Sequence, residues 1–206
     1  MTNTKKERKT DRRTIYTENV IKDGLLELLA ATSFEKITVT AVCKQAEITR
    51  ATFYLHFDDL TGVLDATLED ALRLTEQSSA NPNQDMLQLL ELLAGNADPE
   101  VIRQRETLLP ACQRVADIPK YHVLFLDESL SDYIIKKMYL TEKDKMIPTL
   151  MNQCHLSKNE ADKIFQFVIY GAYHVNKSMH WDKTKDWYQL QSKLIKFISG
   201  GLQALT

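Results

Sequence analysis

A short stretch of the chain, residues 38–56, concentrates side chains that donate hydrogen bonds. They are Thr38, Thr40, Lys44, Thr49, Arg50, Thr52, Tyr54 and His56. An arginine pairs in bidentate fashion with O6 and N7 of guanine, whereas hydroxyl, phenol and imidazole groups suit phosphate oxygens. The chain has no glycine-rich phosphate loop and no G-x-S-x-G sequence. These residue types favour contact with nucleic acid, and we expect neither enzyme activity nor a cofactor.

Two short predicted helices position these side chains. Thr38 and Thr49 are the expected N-caps, because a threonine hydroxyl accepts a hydrogen bond from a first-turn backbone amide. The residues expected to be buried are Val39, Val42, Ala46, Ile48, Phe53 and Phe57. The side chains expected to face outward are Arg50, Thr52, Tyr54 and His56, and Ala51 completes the expected contacts. Two short helices joined by about three residues are typical of a helix-turn-helix, whose second helix fits a DNA major groove about 12 Å wide.

The rest of the chain is predicted to be helical as well. One helix is expected between Thr14 and Ala31, and another from about Leu60 to Gln77. No useful strand-like alternation occurs, so the predicted fold class is all-α. We expect a basic arm and DNA-binding domain over 1–57, a connecting helix over 58–79, and a helical regulatory and dimerisation domain over 80–206. The last boundary follows from a predicted linker, Ser78 to Gln84.

Further helices are predicted after this linker. They lie around Met86–Leu93, after Asp98-Pro99, over 120–140 and 145–154, from the Ser157-x-x-Glu160 capping box to about His180, and over Thr184–Ser199. Gly200-Gly201 is expected to end the last helix or to kink it, because glycine disfavours helix interiors.

Charge is distributed unevenly along the chain. The formal net charge is −2, yet residues 1–13 carry six basic side chains against two acidic ones. A basic end on an acidic body suits docking on phosphate, and the expected contacts of this arm include Lys9, Arg12 and Arg13. A disordered tail that merely solvates the terminus is the alternative interpretation.

Composition predicts a soluble, cytoplasmic protein. No apolar run approaches the roughly 18–20 residues of a membrane span, and no signal peptide is recognisable at the start. Cys43, Cys112 and Cys154 show no C-x-x-C spacing, which favours a reducing compartment and argues against a disulfide framework or a zinc site. Cys154-His155 is at most half a metal site, so we expect no metal.

Three motifs stand together at a recognisable spacing. They are Ile37-Thr38-Val39, Thr49-Arg50 and the closing Phe53-Tyr54-x-His56-Phe57. The run from Phe34 to Phe57 resembles the DNA-binding signature of the TetR family of bacterial regulators, in its Firmicutes form. With the preceding helix, the resemblance covers roughly residues 14–70. It implies a three-helix DNA-binding domain followed by a variable domain that dimerises and usually binds an inducer.

The chain departs from this family pattern at three places. Glu47 stands where the family often has glycine, and a left-handed conformation there would cost about 1–2 kcal/mol. Ser33 likewise replaces a frequent glycine. Leu60, preceded by Asp58 and Asp59, stands where the family usually has a phosphate-binding lysine. We expect the basic arm to compensate by contacting the DNA backbone or the minor groove.

The last two long helices are apolar on more than one face, so we expect one face to join a second copy with two-fold symmetry. The expected dimer residues are Val168, Gly171, Ala172, Val175, Leu194 and Ile198. A helix pair buried within a monomer is the alternative. By resemblance, a small-molecule effector would bind among the central helices, and its candidate contacts are Tyr121, Phe125, Tyr133, Phe165 and Tyr173. An ordinary core explains most of these aromatics equally well.

The expected function is a repressor released from a palindromic operator by a small-molecule effector. Other possibilities are an activator, control by a protein partner, and a DNA-associated protein without ligand control.

Deleting residues 1–9 tests the basic arm. We expect weaker DNA binding and a shallower dependence of log affinity on log salt, by about 0.9 for each phosphate that the arm neutralises. Replacing Lys5, Lys6, Arg8 and Lys9 by glutamine in the full chain should reproduce the effect, since charge and not length carries it. Unchanged affinity and salt slope would contradict the role of the arm.

Overall fold

The computed structural model describes residues 12–77, 95, 98–109 and 111–205, and every regular element in these ranges is helical. The α-helices are α1 (Arg12–Leu29), α2 (Val39–Gln45), α3 (Arg50–Tyr54), α4 (Leu60–Gln77), α5 (Pro99–Gln104), α6 (Ala111–Arg114), α7 (Pro119–Leu126), α8 (Ser131–Gln153), α9 (Lys158–Ser178) and α10 (Lys185–Gln203). One-turn 3-10 helices lie at Phe34–Lys36, Glu106–Leu108, Val115–Asp117 and Glu128–Leu130. The predicted all-α class is confirmed for these residues. Within them, no helix combines the length and apolarity that a membrane crossing requires.

The chain divides into two compact units, Met1–Glu69 and Asp70–Thr206. The division falls inside α4, whereas the sequence placed the last boundary after residue 79. Helix α4 contains no proline, and its one glycine, Gly62, lies in the first turn. The helix is therefore continuous and contributes residues to both units. The predicted linker Ser78–Gln84 and the predicted helix around Met86–Leu93 lie outside the described residues.

The first unit is built around a small apolar core from α1 to the start of α4. Its fully buried residues include Ile21, Leu25, Val42, Phe53 and Val63. Helices α1 and α2 approach closely at a glycine, Gly24. A Cβ atom added to Gly24 would stand 3.4 Å from the Cβ of Ala46, so a larger residue would push the two helices apart.

The predicted N-caps are present in this unit. The hydroxyl of Thr38 accepts a hydrogen bond from the Ala41 amide at 3.1 Å, and that of Thr49 accepts one from the Thr52 amide, also at 3.1 Å. Between the two helices, Glu47 adopts a left-handed conformation with φ 53°. The backbone therefore takes the conformation expected of a glycine, at a cost of about 1–2 kcal/mol for this residue.

Apolar clusters hold the described part of the second unit together. The ring of Trp181 lies 5.0 Å from that of Phe125 and 5.2 Å from that of Tyr173, measured between centroids. A further cluster joins α5 to α10 and comprises Ile102, Leu109, Trp187, Tyr188 and Ile195. The capping box of Ser157 and Glu160 opens α9 as predicted.

Two sequence predictions for the second unit are wrong. The predicted helices 120–140 and 145–154 are instead α7 and a continuous α8 that passes through Pro148. Helix α7 ends before Asp127, whose carboxylate accepts a hydrogen bond from the Ser129 amide at 2.8 Å and caps the 3-10 helix Glu128–Leu130. Burial of Met146, Ile147 and Leu150 holds α8 helical around Pro148.

Gly200-Gly201 does not end or break α10, which continues to Gln203.

Lys183 binds two carboxylates from segments that lack long helices. Its ammonium lies 3.1 Å from Glu106 and 2.5 Å from Asp117, and it stands over the ring of Trp187. The phenol of Tyr188 donates to Glu106 as well. Burial raises the pKa of Asp117, although the hydrogen bond from Lys183 lowers it. The ammonium thereby fastens residues 106 and 117 to the start of α10.

Arg114 joins the end of α4 to the segment before α6. Its side chain is buried, Nε donates to the Leu109 carbonyl at 2.8 Å, and Nη2 donates to the Thr75 carbonyl at 2.7 Å. The last carbonyls of a helix have no intrahelical partner, so a cation there donates to an acceptor that the helix itself does not pair.

We expect Arg114→Met to lower the free energy of unfolding by about 1–3 kcal/mol. Methionine preserves much of the volume but leaves two buried carbonyls without this donor. Chemical denaturation checks the value. Arg103→Met is the control, because Arg103 makes an exposed pair with Glu100 and should matter by less than about 1 kcal/mol. Equal effects of the two substitutions would contradict the role assigned to Arg114.

Candidate nucleic-acid interface

Helices α2 and α3 share an exposed surface, which we name the α2–α3 face. It consists of Thr38, Thr40, Lys44, Thr49, Arg50, Ala51 and Tyr54, all of them exposed. Each was predicted from the sequence as a DNA contact. The face carries two cations and no carboxylate, so its own charges favour a polyanion.

Arg50 is held in one orientation across this face. Its Nη1 donates to the Thr40 hydroxyl at 2.8 Å, and Nη2 donates to the Tyr54 hydroxyl at 3.3 Å. The guanidinium carbon lies 5.8 Å from the centroid of the Tyr54 ring. Three residues from two helices thus form one polar cluster. The sequence had predicted a base contact for Arg50 and phosphate contacts for Thr40 and Tyr54.

Two predicted contacts are less exposed than expected. Thr52 is half-buried, and its hydroxyl lies 2.9 Å from that of Thr49. The side chain of His56 is only 13% exposed, and Nδ1 lies 3.6 Å from a carboxylate oxygen of Glu18 on α1. The expectation that His56 faces outward is therefore wrong: helix α3 ends at Tyr54, and the chain then turns toward α1.

The flanks of the face carry both signs of charge. Arg12 and Arg13 are exposed at the start of α1, while Lys9 lies outside the described residues. Asp59 has a structural role, because its carboxylate accepts a hydrogen bond from the Gly62 amide at 2.8 Å and caps α4. The acidic residue directly before Leu60 thus stabilises the start of α4.

Sequence analysis missed Leu55. This residue follows α3 and is 82% exposed. Its position between Tyr54 and His56 in the motif gave no reason to single it out. Helical periodicity counted from Phe53 would have placed it on the outer side.

In the second unit, α9 and α10 form a shallow apolar groove with Leu109 and Gln113. All six predicted dimer residues line it: Val168, Gly171, Ala172, Val175, Leu194 and Ile198. Phe167 and Phe197, also in the lining, are 70% and 69% exposed. Apart from the local backbone of α9 and the two chain neighbours, no atom of the described residues lies within 4 Å of the Cβ position of Gly171. This face is therefore apolar and open in the single chain.

The predicted effector residues do not line this groove. Tyr121, Phe125, Phe165 and Tyr173 are buried, and Tyr133 is half-buried. Phe125 and Tyr173 both contact the Trp181 ring, whereas Phe165 packs on Tyr139 with centroids 5.6 Å apart. Burial raises the pKa of Tyr173 to about 12. The structure thus brings two of the five together and places Phe165 in a separate contact.

The cysteines of the described side chains are packed in apolar surroundings. Burial raises the pKa of the Cys43 thiol, against a smaller lowering by the charge of Arg50, and burial raises that of Cys154. Over the ranges that the structure covers, no three His, Cys, Asp or Glu side chains converge as metal ligands would.

In comparisons with known proteins, no family model and no curated sequence matches the chain. The function proposed below therefore rests on the side-chain geometry of the chain itself.

Proposed function

We propose that this chain is a sequence-specific, DNA-binding transcriptional regulator whose helix-turn-helix is formed by α2 and α3. The observation that carries the proposal is the cluster of Arg50, Thr40 and Tyr54 on an exposed face without carboxylates. A guanidinium held by two hydrogen bonds on the exposed α2–α3 face suits bidentate contact with guanine in the major groove. Thr38 and Lys44, on α2, suit the flanking phosphates.

The proposed regulator acts as a homodimer through the groove between α9 and α10. Two phenylalanines that are more than two-thirds exposed are costly in water, and a second copy of the same face would cover them. Glycine at position 171 allows close approach of helices. A two-fold dimer would present two copies of α3 about 34–36 Å apart, which fits a palindromic operator.

The proposed regulator is a repressor that a small molecule releases. Support comes from the aromatic cluster of the second unit, where the Tyr173 hydroxyl and the Trp181 indole N–H are buried without a hydrogen-bond partner among the described residues. Such donors are costly to leave unpaired and suit a ligand that bears acceptors. The ligand would change DNA affinity only through its different affinity for the two states of the protein.

Selection of bound sequences from a random duplex library tests the DNA-binding proposal. We expect a palindrome with half-sites about one helical turn apart. Arg50→Ala should weaken binding to it by about 1–3 kcal/mol, since alanine cannot make the bidentate pair with a base. Lys193→Ala is the control, because Lys193 is an exposed cation of α10 outside the proposed interface. Enrichment of no sequence, or equal weakening in both variants, would contradict the proposal.

Sedimentation equilibrium tests the dimer. We expect the wild-type chain to sediment at twice its 23.7 kDa mass. Phe167→Glu should give the monomer, because it places a charge in the interface without disturbing an already exposed position. Leu140→Glu, at an exposed leucine outside the groove, should remain dimeric. A monomeric wild type would contradict the dimer and would favour a protein partner for the groove.

A further inference from the structure

The side of α3 that points most directly away from the core is apolar. Successive residues of a helix are rotated by about 100°, so Ala51 and Leu55 each lie about 160° around the axis from Phe53. Phe53 is fully buried, Ala51 is exposed, and Leu55 is 82% exposed. Leu55 keeps helical dihedral angles, φ −76° and ψ −19°, so the same geometry extends to it.

Leu55 has the largest exposed fraction among the large hydrophobic side chains of the described residues. A leucine in this position gains nothing from burial in the free protein. Polar residues adjoin this side of the helix. Arg50 lies about 100° around the axis from Ala51, and Tyr54 lies about 100° from Leu55. The outer side of α3 therefore offers an apolar strip flanked by the Arg50 cluster.

The chemistry of the major groove indicates which group of the DNA this apolar strip would contact. Base edges there display hydrogen-bond donors and acceptors, and the C5-methyl group of thymine is the apolar group among them. When α3 lies in the groove, the residues opposite Phe53 face the base edges most directly. The side chains of Ala51 and Leu55 have no polar atoms that would need a hydrogen-bond partner in the groove. Their contact with a methyl group would exclude water from it.

We propose that Ala51 and Leu55 contact thymine methyl groups, so that each half-site carries thymine at fixed positions next to the base contacted by Arg50. This inference rests on the proposed DNA-binding function. It makes Leu55 a specificity-determining residue, in addition to the hydrogen-bonding groups of the α2–α3 face.

Replacing thymidine by deoxyuridine tests the contact, because the two differ only by the methyl group. In the selected operator, each thymine is replaced in turn and affinity is measured. We expect about a fourfold loss of affinity for each contacted methyl, the effect of one buried carbon group. With Leu55→Ala, replacing a thymine that Leu55 contacts should change affinity less than about twofold, because the smaller side chain buries less of the methyl. A thymine that Ala51 contacts should keep its effect. Leu126→Ala, at another exposed leucine, should keep the wild-type sensitivity.

The possible outcomes separate this inference from the function on which it rests. If no replacement affects the wild type while Arg50→Ala still weakens binding, the methyl contact is wrong and the DNA-binding proposal stands. If every sensitive thymine keeps its full effect in Leu55→Ala, all the contacts belong to other residues and the role of Leu55 is refuted. If no sequence is enriched at all, both proposals fail. Thermal melting shows whether each variant is folded, which the exposure of Leu55 leads us to expect.

Discussion

The burial of Phe53 determines which side of α3 faces the solvent. A five-residue helix is far too short to be stable in isolation, so its formation and its rotation depend on packing. Phe53 is fully enclosed, and its ring packs edge-on against Tyr54 with centroids 5.3 Å apart. The close approach of α1 and α2 at Gly24 leaves the first unit compact enough to enclose it. The outward direction of Ala51 and Leu55 follows from this inward contact. Arg50 lies only about 60° around the axis from Phe53, and its guanidinium is placed on the α2–α3 face by its hydrogen bonds to Thr40 and Tyr54.

The second unit uses a buried arginine and a half-buried lysine where helices are short. Arg114 holds the carbonyls of Thr75 and Leu109, and Lys183 holds the carboxylates of Glu106 and Asp117. The segments between residues 105 and 118 form only single turns, so apolar periodicity cannot fix them. A charge removed from water requires several partners, which makes each cation specific for one arrangement of these segments.

The sequence predicted those features that depend on residues close together in the chain. The caps at Thr38 and Thr49, the capping box at Ser157, and the grouping of the six groove residues follow from spacing within single helices. The low exposure of His56 was not predicted, because it depends on where α3 ends and on the distant contact of His56 with Glu18. The exposure of Leu55 was missed although helical periodicity from Phe53 indicates it. The continuation of α10 through Gly200 and Gly201 was not predicted either, and no side chain of the described residues packs against these glycines. Pairing of distant aromatics, such as Phe125 with Trp181, left no signal in the sequence.

The α2–α3 face is organised before any partner arrives. Thr40 and Tyr54 engage two of the five N–H donors of Arg50, so the guanidinium is oriented while donors remain for a base edge. An arginine that is already fixed loses less rotamer entropy when it binds. In the proposed complex, the polar and apolar sides of α3 lie about 100° apart and recognise different groups, the guanine edge and the thymine methyl. Because hydrogen bonding and apolar contact are supplied by adjacent sides, a helix of little more than one turn suffices to distinguish several base pairs.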